Sequence, residues 1–305
     1  MNGIEMHNLA VKTVDSIFDD FDKSLKRAGA LFKDGEEALN KLIFPEIKSV
    51  LGISIGGDIT GGYGGNEYTG EVRDIGLLLN PEDQPWTKTI ADISEIAEQG
   101  NAKKVFKPGD YIIIPVSVPE DNIVDGVKFS AIEETGEKLV VTAVFDDKVI
   151  FNFENELSKA AMNNEATNKG GFCKTALARY LNGYFLKNVF GDVEDYLLPN
   201  KDGLKVSLPT AYEVFGESED GDWDNTVNWG EAVRHPYFEK CQNRIKVCVD
   251  DLDDTNWWRL STPYAANAST FCGVTSYGHA GTSGATKTSG GFAPVICVAA
   301  KRRHN

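Results

Sequence analysis

The sequence predicts an α+β protein, and the order of its local patterns leads to that prediction. Four segments rich in β-branched and aromatic residues follow one another between residues 111 and 153, and two more strand-like segments lie at Thr270–Ser276 and Pro294–Val298. Apolar residues at helical spacing separate the two groups, mainly over residues 174–190. Strands grouped on both sides of helices are typical of the α+β class rather than of repeated βαβ units.

The first fifty residues have the pattern of an amphipathic helix. Apolar and charged positions alternate so that a heptad seam runs over three heptads, interrupted at Gly35. The seam consists of Val11, Val14, Phe18, Phe21, Leu25, Ala28 and Phe32. Two interpretations stay open: a helix packed on its own domain, or a segment that self-associates or attaches the protein to an assembly.

A glycine-rich stretch follows this segment. Residues 52–70 contain eight glycines in nineteen positions, with neither a GxxxxGK[ST] loop nor a GxGxxG between a strand and a helix. A connector is therefore favoured over a phosphate-binding loop. We divide the chain into a helical segment over 1–50, a connector over 51–88 and a C-terminal domain over 89–305.

The C-terminal domain contains several predicted elements. A short helix is expected at Lys88–Gln99, and Lys174–Phe190 is expected to be helical with one apolar face. Strands are expected at Tyr111–Val116, Val127–Ile132, Lys138–Phe145 and Lys148–Phe153. Another helix begins after Ser207 or Thr210, either of which can cap it.

Charge and hydropathy exclude some classes of partner. The formal net charge of −15 argues against binding to nucleic acid, where a basic face supplies most of the affinity. It also disfavours docking on anionic membranes, and the longest apolar runs, such as Tyr111–Val116, are too short to span a bilayer. Residues 1–14 lack the pattern of a secretory signal. We expect synthesis in the cytoplasm without a signal peptide, and no membrane insertion.

The five cysteines form no CxxC pair, and their odd number favours free thiols over a disulfide framework.

An acidic segment resembles a calcium loop. Asp220, Asp222, Asp224 and Glu231 fall at loop positions 1, 3, 5 and 12, with Thr226 and Asn228 at positions 7 and 9. Asn225 stands where the loop requires Gly, so an acidic surface loop is favoured over a calcium site. No cofactor is expected, with Ca²⁺ as the one metal that the pattern admits.

The segment before the last strand is the most informative part of the chain. From Thr275 to Gly291 there is no Leu, Ile, Val, Phe, Met or Trp. Such a run cannot bury enough apolar area to offset its ordering entropy, so a neighbouring scaffold must hold it. Its Tyr, His, Ser, Thr and Gly residues resemble the composition of antibody binding loops.

Ligand recognition is therefore favoured over catalysis. Of the adjacent Trp257 and Trp258, one is expected in the core and the other at the rim of the binding surface, because neighbouring residues of an extended chain point to opposite sides. The predicted contact residues are Trp257, Trp258, Tyr264, Asn267, Ser269, Thr275, Tyr277, His279, Thr282, Thr286 and Lys287.

A series of motifs resembles a domain family of uncharacterised function that is common in gut bacteria and their phages and prophages. The series includes Thr89–Gly100, Phe106–Asp110, Gly170–Leu177, Leu208–Gly216, Trp257–Pro263, Phe271–Val274 and Gly290–Val298. Some members look like variable proteins of diversity-generating retroelements, whose ligand-binding end has a C-type lectin-like fold. The resemblance implies such a fold over 89–305, and diversifiable positions over 264–270 and 275–289. It also implies a fixed frame for these positions, formed by Phe271, Val274, Gly278 and Ala285.

The resemblance also implies a function. We expect a virion protein of a phage or prophage, extracellular after release, that binds a host cell-surface protein or glycan. Its N-terminal segment would contact other virion proteins and form a homo-oligomer, with a trimer as one form. A non-enzyme is expected. The alternatives are a structural virion subunit, or an oxidase like the formylglycine-generating enzymes, using copper with Cys272 and Cys297. These two cysteines lie on neighbouring predicted strands and are expected to approach each other.

Overall fold

The structure is a computed structural model, and it describes residues 72–79, 85–230, 233–249 and 251–300, with the backbone alone for 251–254. The expected heptad helix, the glycine-rich stretch and Glu231 lie outside these residues. Among the described helices, none combines the length and the apolar character needed to cross a membrane.

Three short helices precede the first strand of the described chain. They are α1 (Ile75–Leu79), α2 (Trp86–Glu98) and α3 (Ala102–Val105). Helix α2 confirms the helix predicted there; it buries Ile90 and Ile93, and its Ser94 hydroxyl donates to the Ala299 carbonyl at 2.6 Å. Although α1 falls in the expected connector, its Ile75 is fully buried, so this end of the connector is packed.

The larger described sheet has five antiparallel strands in the order β1–β4–β5–β14–β7. Their bounds are β1 (Tyr111–Val118), β4 (Ile132–Val144), β5 (Lys148–Phe153), β7 (Val206–Ser207) and β14 (Val295–Ala299). Three of the four strands predicted before residue 154 are confirmed. The fourth, predicted at Val127–Ile132, is divided: β3 (Val127–Phe129) pairs with β2 (Asn122–Val124), and β4 begins at Ile132.

The second described sheet has the order β12–β11–β10–β13–β6. Its strands are β6 (Ser158–Lys159), β10 (Trp258–Pro263), β11 (Thr270–Val274), β12 (Ala280–Gly284) and β13 (Gly291–Phe292). Strands β10 and β13 are parallel, whereas the other neighbours are antiparallel. A separate pair, β8 (Lys246–Cys248) with β9 (Asp251–Asn256), leads into β10.

The predicted long helix is present but irregular. It consists of α4 (Ala176–Tyr180), a π-helical turn (Leu181–Phe185) and α5 (Leu186–Phe190). The Thr175 hydroxyl caps it by accepting from the Ala178 amide at 3.0 Å. Its Tyr180 ring stacks on Phe129 with centroids 4.2 Å apart, which joins the helix to the β2–β3 hairpin.

Three buried clusters lie among the described residues, and the two larger ones hold these elements together; the third surrounds Ile150, Val295 and Cys297 on the other face of the larger sheet. The main core joins the larger sheet to α2, α4 and α5. A second cluster surrounds Trp258, Leu260 and Val274 of the second sheet, with Phe238 and Val214 packed against them. The prediction of an α+β fold is confirmed, because helices and mostly antiparallel strands share these cores.

A short helix, α6 (Ala211–Phe215), begins with a capping box. The Thr210 hydroxyl accepts from the Glu213 amide at 3.0 Å, and the Glu213 carboxylate accepts from the Thr210 amide at 2.8 Å. Of the two residues predicted to be able to cap this helix, Ser207 and Thr210, the cap is Thr210.

Replacing Thr210 with Ala removes one half of this box. We expect the free energy of unfolding to fall by about 1 kcal/mol, because a helix amide loses its acceptor. Urea denaturation measures the change, with Thr282→Ala, at an exposed position of β12, as a control expected to stay within about 0.5 kcal/mol. Equal stability of the two variants would contradict a stabilising cap.

Candidate functional site

The polar segment, residues 275–291, begins with a tight turn between β11 and β12. The Thr275 amide donates to the His279 carbonyl at 2.8 Å, and the Gly278 amide donates to the Thr275 carbonyl at 2.9 Å. Tyr277, at the tip of the turn, is 73% exposed, and His279 is exposed as well. The hairpin therefore presents an aromatic ring and an imidazole to the surroundings of the molecule.

Gly278 fixes the position of this tip. Its φ is +78°, a conformation that residues with a side chain rarely adopt. A Cβ atom there would lie 2.7 Å from the Cys241 carbonyl oxygen and 2.9 Å from the Cys241 sulfur. The turn thus rests directly on residues 241–244, a 3₁₀ helix, and only glycine fits the contact.

Strand β12 extends the hairpin along the edge of the second sheet. Its five residues pair with β11 from Val274↔Ala280 to Thr270↔Gly284, and no other described strand pairs with its outer edge. Ala280 and Thr282 are exposed, while Ser283 is buried. Backbone hydrogen bonds to β11 hold a strand that has no large apolar side chain.

The segment returns to the core at Ala285. This residue is fully buried, and its carbonyl accepts from the amides of Met162 at 2.8 Å and Asn163 at 3.0 Å. The following residues, 286–289, are exposed. All the predicted frame residues are buried, namely Phe271, Val274, Gly278 and Ala285.

A second loop lies near the far end of β12. Asn168 organises it: its side-chain amide donates to the carbonyls of Asn267 at 3.0 Å and Thr270 at 2.8 Å. The Asn267 side-chain oxygen in turn accepts from the Ser269 amide and hydroxyl, at 2.9 and 2.7 Å. No pattern in the sequence indicates this role of Asn168, because it lies 99 residues from Asn267 along the chain.

The two tryptophans have different positions. Trp258 is fully buried, and its indole nitrogen donates to the Arg244 carbonyl at 2.8 Å. It is a core residue, so its inclusion among the predicted contact residues is wrong. Trp257 is partly exposed and lies against Gly290, where there is no room for a side chain.

The structure distributes the predicted contact residues over two ends of the β11–β12 pair. Tyr277, His279 and Thr275 lie at the hairpin end, since Val274 pairs with Ala280 there. The other end carries two groups, because Thr270 pairs with Gly284. These groups are the loop residues Tyr264, Asn267 and Ser269, and the following residues Thr286 and Lys287. Thr282 lies between the two ends.

A family described as a domain of unknown function (DUF6273) matches residues 136–300. The chain belongs to this family. The DUF6273 region begins within β4 and includes every predicted contact residue, and its description assigns no activity. Comparisons with curated proteins and with solved structures found no match.

The cysteines of the DUF6273 region do not form the pair that an oxidase would need. Cys272 lies on β11 and Cys297 on β14, so the expectation that they occupy neighbouring strands is wrong: these strands belong to different sheets. Both thiols are buried in separate apolar clusters. Burial raises the pKa of each thiol, which disfavours the reactive thiolate.

The acidic segment is organised by contacts within the protein. Asn228, at position 9 of the supposed calcium loop, is buried, and its side-chain oxygen accepts from Asn200 at 3.0 Å and Ser207 at 2.8 Å. Asp224 accepts from the Thr226 amide at 3.1 Å. Among the described residues, no group of three or more acidic, His or Cys side chains is placed to hold a metal ion.

Glu213 is the centre of this buried network, and sequence reasoning missed it. Its carboxylate accepts from the Asn228 amide at 2.7 Å and from the Asn228 side chain at 2.9 Å, in addition to the Thr210 amide. The network ties the acidic segment to α6. Residues 226–228 line two clefts, of about 510 and 220 Å³. No residue of the turn between β11 and β12 lines either of these clefts.

A buried acid lies beneath the start of β13. Glu156 is fully buried; one carboxylate oxygen accepts from the Asn256 side chain at 2.9 Å, and the other has no hydrogen-bond partner. Burial raises the pKa of Glu156 to about 7. Nearby, burial lowers the pKa of Lys246 to about 7, although its ammonium group donates to the Glu154 carbonyl at 2.9 Å.

The raised pKa of Glu156 predicts a pH dependence of stability. Its stabilising contribution is complete below pH 4.5, where both states are protonated, and is lost as the pH rises to about 7. The loss amounts to ~3 kcal/mol at most. Glu156→Gln, which resembles the protonated acid, should lack this part of the dependence.

Denaturation of both proteins at pH 5 and pH 7.5 measures the effect. Other ionisable groups are common to the two proteins, so the difference between their pH dependences reports Glu156. The same change in both proteins would show that Glu156 ionises normally in the folded state.

Proposed function

We propose that this chain is a virion-associated ligand-binding protein of a phage or prophage that displays a diversifiable surface on a C-type lectin-like domain. The observation that carries the proposal is the division of the polar segment into exposed and buried positions. Tyr277, His279, Thr282, Thr286 and Lys287 are exposed, whereas the residues predicted as their frame are buried. A surface that varies without loss of folding requires this division.

The lectin-like fold is supported by the arrangement of the sheets. The last strand, β14, lies between β5 and β7 of the larger sheet, so the chain returns to its early strands. The loop-bearing strands β10, β11 and β12 form a second sheet. Two sheets thus support loops whose sequence can vary, which agrees with the family that the motifs resemble.

The binding energy would come from a few aromatic contacts and from multiplicity. Tyr277 offers a large ring at the hairpin tip, and the surrounding hydroxyl groups supply hydrogen bonds. We assign attachment and oligomerisation to residues 1–50, with 51–88 as the connector. Several copies on one particle would convert a modest affinity for a host surface protein or glycan into strong adhesion.

The double variant Tyr277→Ala, His279→Ala tests the role of the hairpin. Because both side chains are exposed, the fold should be retained, and adsorption of the purified oligomer to host cells should fall by about tenfold or more. Flow cytometry with labelled protein measures adsorption. The matched control is Ile123→Ala, Lys128→Ala, on the exposed β2–β3 hairpin, which should adsorb normally.

Unchanged adsorption of the hairpin variant would remove these two residues from the binding surface. Sequencing the gene in a natural population separates a binder from a structural virion subunit. Variation concentrated within residues 264–289 is expected for a diversified binder, and variation spread evenly over the chain would favour the structural subunit.

A further inference from the structure

The charge of the chain is unevenly distributed around the polar segment. From residue 255 to residue 305 there is no Asp or Glu, although the whole chain contains 46 of them. Within the described part of that stretch, the lysine and arginine residues are Arg259 and Lys287. Both lie against one side chain, the partly exposed ring of Trp257. The centroid of that ring is 5.1 Å from the Arg259 guanidinium carbon and 5.7 Å from the Lys287 nitrogen.

Arg259 is a buried cation without an acidic partner. It is 1% exposed; its Nε donates to the Ala160 carbonyl at 2.8 Å and its Nη2 to the Lys287 carbonyl. Its Nη1 has no hydrogen-bond partner, and it forms no ion pair within the described residues. Burial lowers its pKa to about 10, so the group stays charged at neutral pH. Among the described side chains, therefore, none compensates the positive charge that lies beneath this surface.

Trp257 packs closely on the second sheet beside two paired glycines. Gly273 pairs with Arg259 on one side and with Gly281 on the other, so their side-chain positions share one face of the sheet. Gly273 is buried: a Cβ there would lie 2.9 Å from the Trp258 carbonyl oxygen and 3.9 Å from the Trp257 ring, and one at Gly281 would lie 3.0 Å from the Thr275 methyl group. The two glycines thus let the indole ring lie close to the backbone of the sheet, while part of the ring stays exposed.

Carboxylates do lie near other parts of this region. Asp222 is hydrogen-bonded to the Tyr264 hydroxyl, at the far end of β11, and Glu156 is buried beneath Gly291. The Asp222 interaction involves the second loop rather than Trp257, and Glu156 is sealed from solvent and hydrogen-bonded to Asn256. The cations around Trp257 thus remain available to an anion from outside.

We infer that Trp257, Lys287 and the underlying Arg259 form a subsite for an acidic sugar of a glycan. The apolar face of the sugar packs on the exposed part of the indole ring. Its carboxylate or sulfate group binds the Lys287 ammonium, and Arg259 contributes attraction from below without direct contact. This inference rests on the proposed binding function and specifies the ligand class of the same surface.

A glycan fits this surface better than an acidic peptide does. The exposed part of an indole ring matches a sugar face, and the hydroxyl groups of Thr286 and Thr288, which flank Lys287 in the chain and are exposed, can exchange hydrogen bonds with sugar hydroxyls. An acidic peptide would require rows of cations or a deep apolar pocket. Around Trp257 the described residues provide two cations, and residues 275–291 contain no Leu, Ile, Val, Phe, Met or Trp that could form such a pocket.

The local charge is tested with ionic quenchers of tryptophan fluorescence. Subtracting the signal of Trp257→Phe isolates the Trp257 contribution from that of the other tryptophans. Iodide should quench this contribution several-fold more strongly than caesium, with neutral acrylamide as the reference for exposure. Lys287→Glu should abolish the preference, whereas Lys187→Glu, the same change on the exposed side of α5, should preserve it. Equal quenching by iodide and caesium in the native protein would overturn the inference.

The ligand class is tested on immobilised glycans in pairs that differ only in charge. Such pairs are polygalacturonate with its methyl ester, a sialylated with the matching asialo-oligosaccharide, and a sulfated with the desulfated chain. At least one acidic member should bind more tightly than its neutral partner. Lys287→Glu should weaken that binding by about tenfold, and Lys187→Glu by less than about twofold. Added salt should weaken it as well.

Equal binding of charged and neutral members, or no binding to any acidic glycan, would overturn the subsite. Binding of an acidic peptide through Lys287 in place of the glycans would also do so. These failures differ from failure of the proposed function. If adsorption to cells is lost in the Tyr277, His279 variant but kept in Lys287→Glu, the protein is a binder whose ligand does not use this subsite.

Discussion

The pairing of β12 with β11 is the interaction on which the display of the polar segment depends. Between Thr275 and Gly291 the chain has no large aliphatic side chain, so apolar burial cannot hold it in place. Backbone hydrogen bonds along β11 do so, and the buried Ala285 anchors the exit by accepting from two amides. Strand β11 is itself fixed by Phe271 and Val274, which are buried in the two cores. Strand β11 and the two cores therefore keep the polar segment rigid, and its exposed side chains contribute little to that rigidity.

Local patterns were sufficient to predict much of the frame. The runs around β1, β4 and β5 are rich in β-branched residues, which led directly to the prediction of strands there. In the structure, β4 pairs with β1 and with β5. Thr210 was predicted as a cap because its effect is confined to one turn of helix. The division at residues 129–132 was missed, since a hairpin and a following strand share one apolar run. The π turn within residues 181–185 likewise has no distinct pattern of hydropathy.

The types of residue in the candidate binding surface were predictable from the sequence, but their positions in the fold were not. The exposed residues of the hairpin were identified because their composition excluded burial. Asn168 and Arg259 were missed because they act on residues far away in the sequence and belong to no spacing motif. Glu213 completes the T-x-x-E spacing of the capping box, but its bonds to Asn228 join two separate segments and have no local pattern. For the same reason the two cysteines were assigned to neighbouring strands: β11 and β14 are close in sequence, but strand β14 crosses to the other sheet.

The contact between Gly278 and Cys241 limits how the hairpin can evolve. Any replacement at position 278 would press a side chain into the carbonyl beneath it, so a gene that randomises this stretch gains nothing from that codon. The neighbours on each side, Tyr277 and His279, carry no such restriction because both project outward. A useful library of variants of this protein would therefore randomise the codons of exposed residues and keep the codons of buried residues such as Gly278 unchanged. The contacts beneath the segment determine where the unchanged codons fall.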